Sequence, residues 1–297
     1  MDSLEPLALG HEWARGAFGS VHVVETPAGR VAVKSVPDPV GHANRELETC
    51  MRLASDEHAG IVRFLGYWTE GAVLFLVMEF IPETLGSVLG RLAESNLRMK
   101  TGRMTALVGQ LAGALGYLEH IGLMHRDLKP DNVLVNVATN RLAICDFGSA
   151  KFCTSGPSVT YVCTRNYRAP ELILCRDMYS TKVDVWAFGC ILAEFAYGRP
   201  LFSGATQVEI MAGIVRIRGM VTADDIAHMP TSETTDSARG LVCVAPKPWS
   251  RVFTRRVGTR RVNSSYGELY ERILSACLQW NPSSRISAHE LDLLYVQ

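Results

Sequence analysis

Between His125 and Gly148 the chain gathers residue types suited to moving a phosphoryl group. The run His125-Arg126-Asp127-Leu128-Lys129-Pro130-Asp131-Asn132 is followed by Asp146-Phe147-Gly148. Phosphoryl transfer asks little covalent chemistry of a protein. It needs a carboxylate to orient the attacking hydroxyl and oxygen ligands for the magnesium that neutralises the phosphates. Asp127 suits the first role, and Asn132 with Asp146 suits the second. Pro130 disfavours continued helix, so Asp127 and Asn132 share one short loop. The apolar run Leu142-Ala143-Ile144-Cys145 reads as a strand leading into Asp146. Either tripeptide alone is a weak signal, whereas the octapeptide followed by Asp-Phe-Gly is a specific one.

Elements that would position these residues can be read on both sides. Val21-His22-Val23-Val24 alternates like a strand, and a Pro-Ala-Gly turn at 27–29 leads into Arg30-Val31-Ala32-Val33-Lys34. Such a hairpin can lay its leading loop over nucleotide phosphates. Gly16 and Gly19 would let backbone amides approach where a Cβ would obstruct. His42 to Ala54 carries a helical apolar stripe (Leu47, Cys50 or Met51, Ala54), with Glu46 early on it. Ile61 to Leu65 and Leu74 to Met78 read as further strands. Leu85 to Glu119 is helical in period, with Leu107, Leu111, Ala114 or Leu115, and Leu118 on one face; the glycines at 109, 113 and 116 allow close packing. Ser180 to Tyr197 predicts a helix apolar almost all round, hence buried. Asp184 near its start is costly there unless hydrogen-bonded.

The totals exclude several classes. At 297 residues the chain suits one large domain or two packed lobes. Lys plus Arg and Asp plus Glu both number 30, so no global charge draws it to nucleic acid or membrane. Its eight cysteines include no Cys-x-x-Cys pair, which fits a reducing compartment. No secretory leader opens the chain, and its most apolar run, 72–81, is too short to span a bilayer. The expectation is a soluble intracellular monomer, cytoplasmic with access to the nucleus.

On these motifs the chain resembles a eukaryotic protein kinase. That resemblance implies an α+β, two-lobed fold: a small antiparallel sheet with one helix over residues 1–81, then a mostly helical lobe over 82–297. It implies ATP and Mg2+ as cofactors and protein substrates as partners. By resemblance, Lys34 holds the α- and β-phosphates and Glu46 fixes Lys34. Ala14 stands where the family has its first loop glycine. Met78 guards the back of the adenine pocket, and Glu79 to Ile81 form the hinge. Val21, Ala32, Leu134 and Cys145 line the adenine site, though each is equally an ordinary core residue. Lys129 supports Ser/Thr over Tyr and could stabilise the transferring charge. Asp184 matches an aspartate that holds the catalytic-loop backbone, and Glu171 with Arg285 matches a structural ion pair.

The activation segment narrows the resemblance. Asp146-Phe147-Gly148-Ser149-Ala150-Lys151 continues to Thr160-Tyr161-Val162-Cys163-Thr164-Arg165-Asn166-Tyr167-Arg168-Ala169-Pro170-Glu171. With Asn44-Arg45-Glu46-Leu47 and Pro82-Glu83-Thr84, it is similar to the glycogen synthase kinase 3 family. Arg45, Arg126 and Lys151 would then form a basic pocket. Val159 occupies the place where MAP kinases carry a phosphorylated threonine, so the pocket is expected to take a phosphate from a substrate already phosphorylated four residues downstream. Tyr161 matches the family's activating phosphotyrosine, with Arg165 placed to contact it. Asn166 replaces a tyrosine usual in the family, and the family's autoinhibitory serine segment is not expected here. The stretch 222–262 has no clean period; its Pro248-Trp249 resembles an insert of related kinases that can seat a scaffold protein. Arg255, Arg256, Arg260 and Arg261 read as a solvated loop. A proline-directed kinase without priming, and a scaffold that keeps the fold without turnover, stay open as alternatives.

Overall fold

The computed structural model describes residues 3–16, 19–37, 45–153, 157–159, 163–229, 245–249, 251–252 and 264–296. Its N-terminal part is a five-stranded antiparallel sheet, made of β1 (Glu12–Gly16), β2 (Gly19–Thr26), β3 (Gly29–Pro37), β4 (Phe64–Glu70) and β5 (Val73–Glu79), ordered β1-β2-β3-β5-β4. β-Branched residues drive it: Val24 and Val33 turn inward with Trp68, Phe75 and Val77. Helix α1 (Arg45–Ala54) buries Glu46, Thr49, Cys50 and Leu53, one face at helical spacing. Cys50 packs with Val36, Phe64, Leu74 and Leu76 from the sheet. Of the two candidates for the stripe, Met51 is the exposed one.

Residues 61–63 depart from the strand expected over 61–65. Val62 N donates to Ile144 O (2.9 Å) and Ile144 N to Gly60 O (2.8 Å). The backbone there is taken by the other half of the molecule, so β4 begins only at Phe64. The segment is a seam between the two halves.

The remainder is mostly helical. After β6 (Glu83–Thr84), the helical run read over 85–119 divides into α2 (Leu85–Glu94) and α3 (Thr101–His120). Ser95 N closes α2 on Arg91 O, and Asn96 takes the left-handed conformation (φ 51°), which turns the chain out of the helix. Along α3, Leu107, Leu111, Ala114, Leu115 and Leu118 are all buried. Its three glycines lie under the final helix, Ala288–Val296. A Cβ on Gly109 would come within 3.2 Å of Tyr295, and one on Gly113 within 3.1 Å of Asp292. Close approach is what they permit.

Short strands β7 (Leu123–Met124), β8 (Val133–Asn136), β9 (Arg141–Ile144) and β10 (Lys151–Phe152) frame the catalytic stretch. Behind them come α4 (Pro170–Ile173), α5 (Lys182–Tyr197) and α6 (Gln207–Arg218). Helix α5 is buried almost throughout and stops at Gly198 (φ 72°). In the 222–262 stretch, Trp249 is buried and donates to Ser275 Oγ (2.7 Å), while Arg255, Arg256, Arg260 and Arg261 lie outside the described residues.

One ion pair ties α4 to the far end of the chain. Arg285 Nη1 and Nη2 donate to Glu171 Oε1 and Oε2 at 2.5 and 2.6 Å. The remaining guanidinium donors go to the carbonyls of Gln279, Lys182 and Trp280. Both side chains are almost fully buried, so all five N–H groups of the arginine are satisfied where water is excluded. Arg285→Ala leaves Glu171 charged and alone, and should cost about 3–5 kcal/mol of stability. Arg285→Lys should recover only part, because an ammonium cannot make the forked contact. Urea unfolding midpoints of the two variants check this; equal loss in both would mean the fork itself contributes nothing.

Candidate active site

The catalytic loop is hung from a buried carboxylate. Asp184 Oδ2 and Oδ1 accept the backbone N–H groups of His125 and Arg126 at 2.7 and 2.9 Å. Burial pushes the Asp184 carboxyl up, against the pull of these donors. The grip holds Arg126 at φ 66°, a conformation uncommon outside glycine. His125 Nε2 lies 2.9 Å from Cys145 O, and its Nδ1 accepts from Asp127 N at 3.2 Å. That pair of partners sets the tautomer with the proton on Nε2. The imidazole also meets Phe147 edge-on, with ring centroids 5.1 Å apart.

Both oxygens of Asp127 are fixed by hydrogen bonds. Oδ1 accepts from Thr164 N (2.7 Å) and Oγ1 (2.8 Å); Oδ2 accepts from Lys129 Nζ (2.9 Å) and Asn132 Nδ2 (3.2 Å). Lys129 also donates to Thr164 Oγ1 at 3.0 Å. A carboxylate held from four sides has one orientation to offer an incoming hydroxyl, with an ammonium beside it.

Asn132 and Asp146 are brought together by backbone. Cys145 N donates to Asn132 O at 3.0 Å, which sets Asp146 next to the end of the catalytic loop. The amide nitrogen of Asn132 is engaged on Asp127, so its Oδ1 is the atom that would face a metal ion. One amide oxygen and one carboxylate suit Mg2+, which keeps waters and takes phosphate oxygens. No cluster of three or more potential metal-binding side chains occurs among the described residues.

Lys34 joins the two halves electrostatically. Its Nζ lies 2.6 Å from Glu46 Oε1 and 2.8 Å from Asp146 Oδ1. Burial opposes its charge, but the two carboxylates override that and raise its pKa. Burial also pushes Asp146 up, yet Lys34 overrides it and leaves the carboxyl below its ordinary value. For Glu46, burial outweighs the pull of Lys34 and the value rises.

The expected adenine-site residues fall on facing strands. Ala14 pairs with Val21, Gly16 with Gly19, Ala32 with Met78, and Leu134 with Ala143. A Cβ on Gly19 would lie 1.8 Å from Ser35 O, so the tight loop end requires glycine (φ 140°). Val21, Ala32, Met78, Leu134 and Cys145 are each half-buried. Burial pushes the Cys145 thiol up to about 12, making it a wall and not a nucleophile. Ile81 is buried. The Glu79 carboxylate is engaged twice by Arg141 (2.6 and 2.7 Å) and once by Arg63 N (2.9 Å). The Glu79 backbone N–H is taken too, donating to Arg63 O at 2.9 Å.

The basic residues divide. Arg126 Nε donates to Ser149 O (2.6 Å) and Nη1 to Tyr179 Oη (3.0 Å), while Lys151 Nζ reaches Ser158 Oγ (2.7 Å). Arg45 opens α1 with an exposed side chain, and no hydrogen bond ties it to the other two among the described residues. Tyr161 lies outside the described residues; Arg165, its expected contact, donates to Ala205 O at 2.5 Å.

Sequence reasoning assigned no role to Thr164, Tyr179 or Trp13. Thr164 and Tyr179 act across 35 to 53 positions of chain, and no local pattern encodes such pairings. Trp13 carried a signal, being a large aromatic directly before the loop. It stays half exposed and meets Phe80, in the expected hinge, edge-on at 5.4 Å, with Arg30 over the same ring at 4.7 Å.

Thr164→Val keeps the shape but removes one hydrogen bond to a charged acceptor, worth about 1.5 kcal/mol or more. Turnover should fall roughly 10-fold with the KM for ATP unchanged. A parallel rise in that KM would show that Thr164 acts on nucleotide binding.

The protein kinase domain family matches residues 9–292 of this chain. A fission yeast protein named "Protein kinase gsk3" (Schizosaccharomyces pombe) is 33% identical over 285 residues, spanning 93% of this chain and 70% of the relative. With the five-stranded sheet and mostly helical remainder already described, the chain belongs to the protein kinase family, among the kinases similar to glycogen synthase kinase 3.

Proposed function

We propose that this kinase transfers the γ-phosphoryl group of ATP to Ser or Thr hydroxyls of proteins, preferring substrates that already carry a phosphate four residues downstream. Lys34, Glu46 and the β1–β2 loop position the nucleotide; Asp127 orients the substrate hydroxyl, with Lys129 beside it. Asn132 and Asp146 would hold Mg2+, which supplies charge neutralisation on the phosphates when bound. The observation carrying the priming preference is the approach of Arg126 and Lys151 to the 157–159 segment, where Val159 offers no hydroxyl for a phosphate of its own. Arg45, at the start of the neighbouring helix, completes the cationic rim in this reading. Forked, charge-assisted contacts suit a phosphomonoester there.

Tyr161 is the activating phosphosite in the same reading, and a scaffold protein docks on the helical half. The reading also takes the chain as a cytoplasmic monomer with access to the nucleus. Support for a reducing compartment comes from seven described cysteines that stand as separate thiols. The 33% identity to the fission yeast kinase and the intact Asp127, Asn132 and Asp146 geometry favour turnover over a scaffold without activity.

The test uses two peptides differing only by phosphoserine four residues after the target serine, with Asp127→Asn as the inactive control. The expected result is a preference for the phosphorylated peptide. Arg45→Ala should lower kcat/KM for it roughly 10-fold, the effect of one charge-assisted bond, and spare the plain peptide. Equal turnover of both peptides by the unaltered chain would favour a proline-directed kinase instead.

A further inference from the structure

Segment 157–159 is held in place by several contacts. Ser158 N donates to Asp177 O (2.8 Å), and Tyr179 Oη donates to Val159 O (2.6 Å). Lys151 Nζ donates to Ser158 Oγ (2.7 Å) and reaches the Pro157 carbonyl at 3.4 Å. Arg126 Nη1 donates to the same Tyr179 hydroxyl at 3.0 Å. Burial pushes the Tyr179 phenol up, while hydrogen bonds with Arg126 and Ser158 pull against it. The Ser158 hydroxyl is therefore touched by one cation directly and linked to a second through one phenol. Among the described residues, no hydrogen bond engages Nη2 of Arg126.

From this arrangement we infer that Ser158 is a phosphorylation site whose phosphate is gripped by Lys151 and Arg126, in the pocket a phosphorylated substrate would otherwise use. The inference rests on the reading of that pocket given above. Three phosphate oxygens can accept what one hydroxyl cannot: the ammonium already in place, the open end of the guanidinium, and the Tyr179 hydroxyl once it turns from Val159 O. The neighbouring Val159 has no hydroxyl, so within the described part of the segment Ser158 is the hydroxyl that touches Lys151 and is linked through Tyr179 to Arg126. The donor is ATP, used by a protein kinase acting on serine. The Ser158 Oγ–P bond forms, the bond from Pγ to the β-bridging oxygen breaks, ADP leaves, and the hydroxyl proton passes to that kinase's base. The phosphate then turns the pocket from a substrate site into a site filled in cis, and removes the preference for primed substrates.

The test compares the full chain carrying phosphoserine at position 158 with its phosphatase-treated twin and with Ser158→Ala. The phosphate is first titrated by 31P NMR. Its second ionisation, ordinarily near pH ~6, should fall by about one to three pH units between two cations. Lys151→Ala should move it back. Peptide kinetics come second: KM for the primed peptide should rise ~10-fold or more on loss of charge-assisted contacts, with the plain peptide unaffected. Phosphatase treatment should restore the primed KM, and Ser158→Ala should match the twin. A phosphate titrating at its ordinary value, indifferent to Lys151→Ala, overturns the inference. So does a displaced titration with an unchanged KM in an enzyme whose twin prefers primed peptide. If the twin shows no such preference, the primed-substrate reading fails by itself, and the titration still decides whether the pocket grips Ser158.

Discussion

One buried carboxylate sets the geometry of the catalytic stretch. Asp184, on the first turn of a helix almost wholly inside the protein, accepts two consecutive backbone N–H groups of the His125–Arg126 peptide. An ionised carboxylate in that setting is expensive, and those two donors offset the cost. In return the loop is held in a backbone state it would not choose, with Arg126 at positive φ. Strain of this kind persists only where surroundings over-determine it. From that fixed peptide, His125 bridges to the strand before Asp146, and Asp127 emerges with a set direction. Asp146 is itself at φ 65°, so both ends of the site carry the same kind of constraint.

The two halves meet here through charge as well as through apolar contact, Leu53 of α1 sharing a cluster with Phe147. Lys34 comes from the sheet, Glu46 from α1 and Asp146 from the helical half, and all three converge within hydrogen-bond distance. A second tether runs along the back, where Arg141 forks onto Glu79 at the end of β5.

The activation segment is organised differently. Its described part is held by hydroxyls (Ser158, Thr164 and Tyr179) bonded to cations or to Asp127. Hydroxyls are adaptable partners that both donate and accept, and they are the groups a phosphoryl transfer can convert to anions. The segment therefore combines placement with the capacity for a change of charge. Arg285, by contrast, is saturated with five acceptors, fastening Glu171 to the carbonyls of Gln279, Lys182 and Trp280.

The sequence by itself determined the chemistry and the fold class. The spacing of Asp127, Asn132 and Asp146, the hairpin ahead of Lys34, and the uninterrupted apolar character of 180–197 are local patterns, and local patterns survive in one dimension. It misjudged continuity where a single turn intervenes: Asn96 divides the helical run over 85–119, and the 61–63 backbone pairs with a distant strand. Tertiary structure decided what depends on groups far apart in the chain. That Thr164 holds Asp127, that Glu79 is engaged through its side chain by Arg141, and that Tyr179 couples Arg126 to the activation segment follow from packing that closes long loops. No residue-by-residue propensity encodes such closures, because their free energy belongs to the assembled core and not to any one stretch of chain.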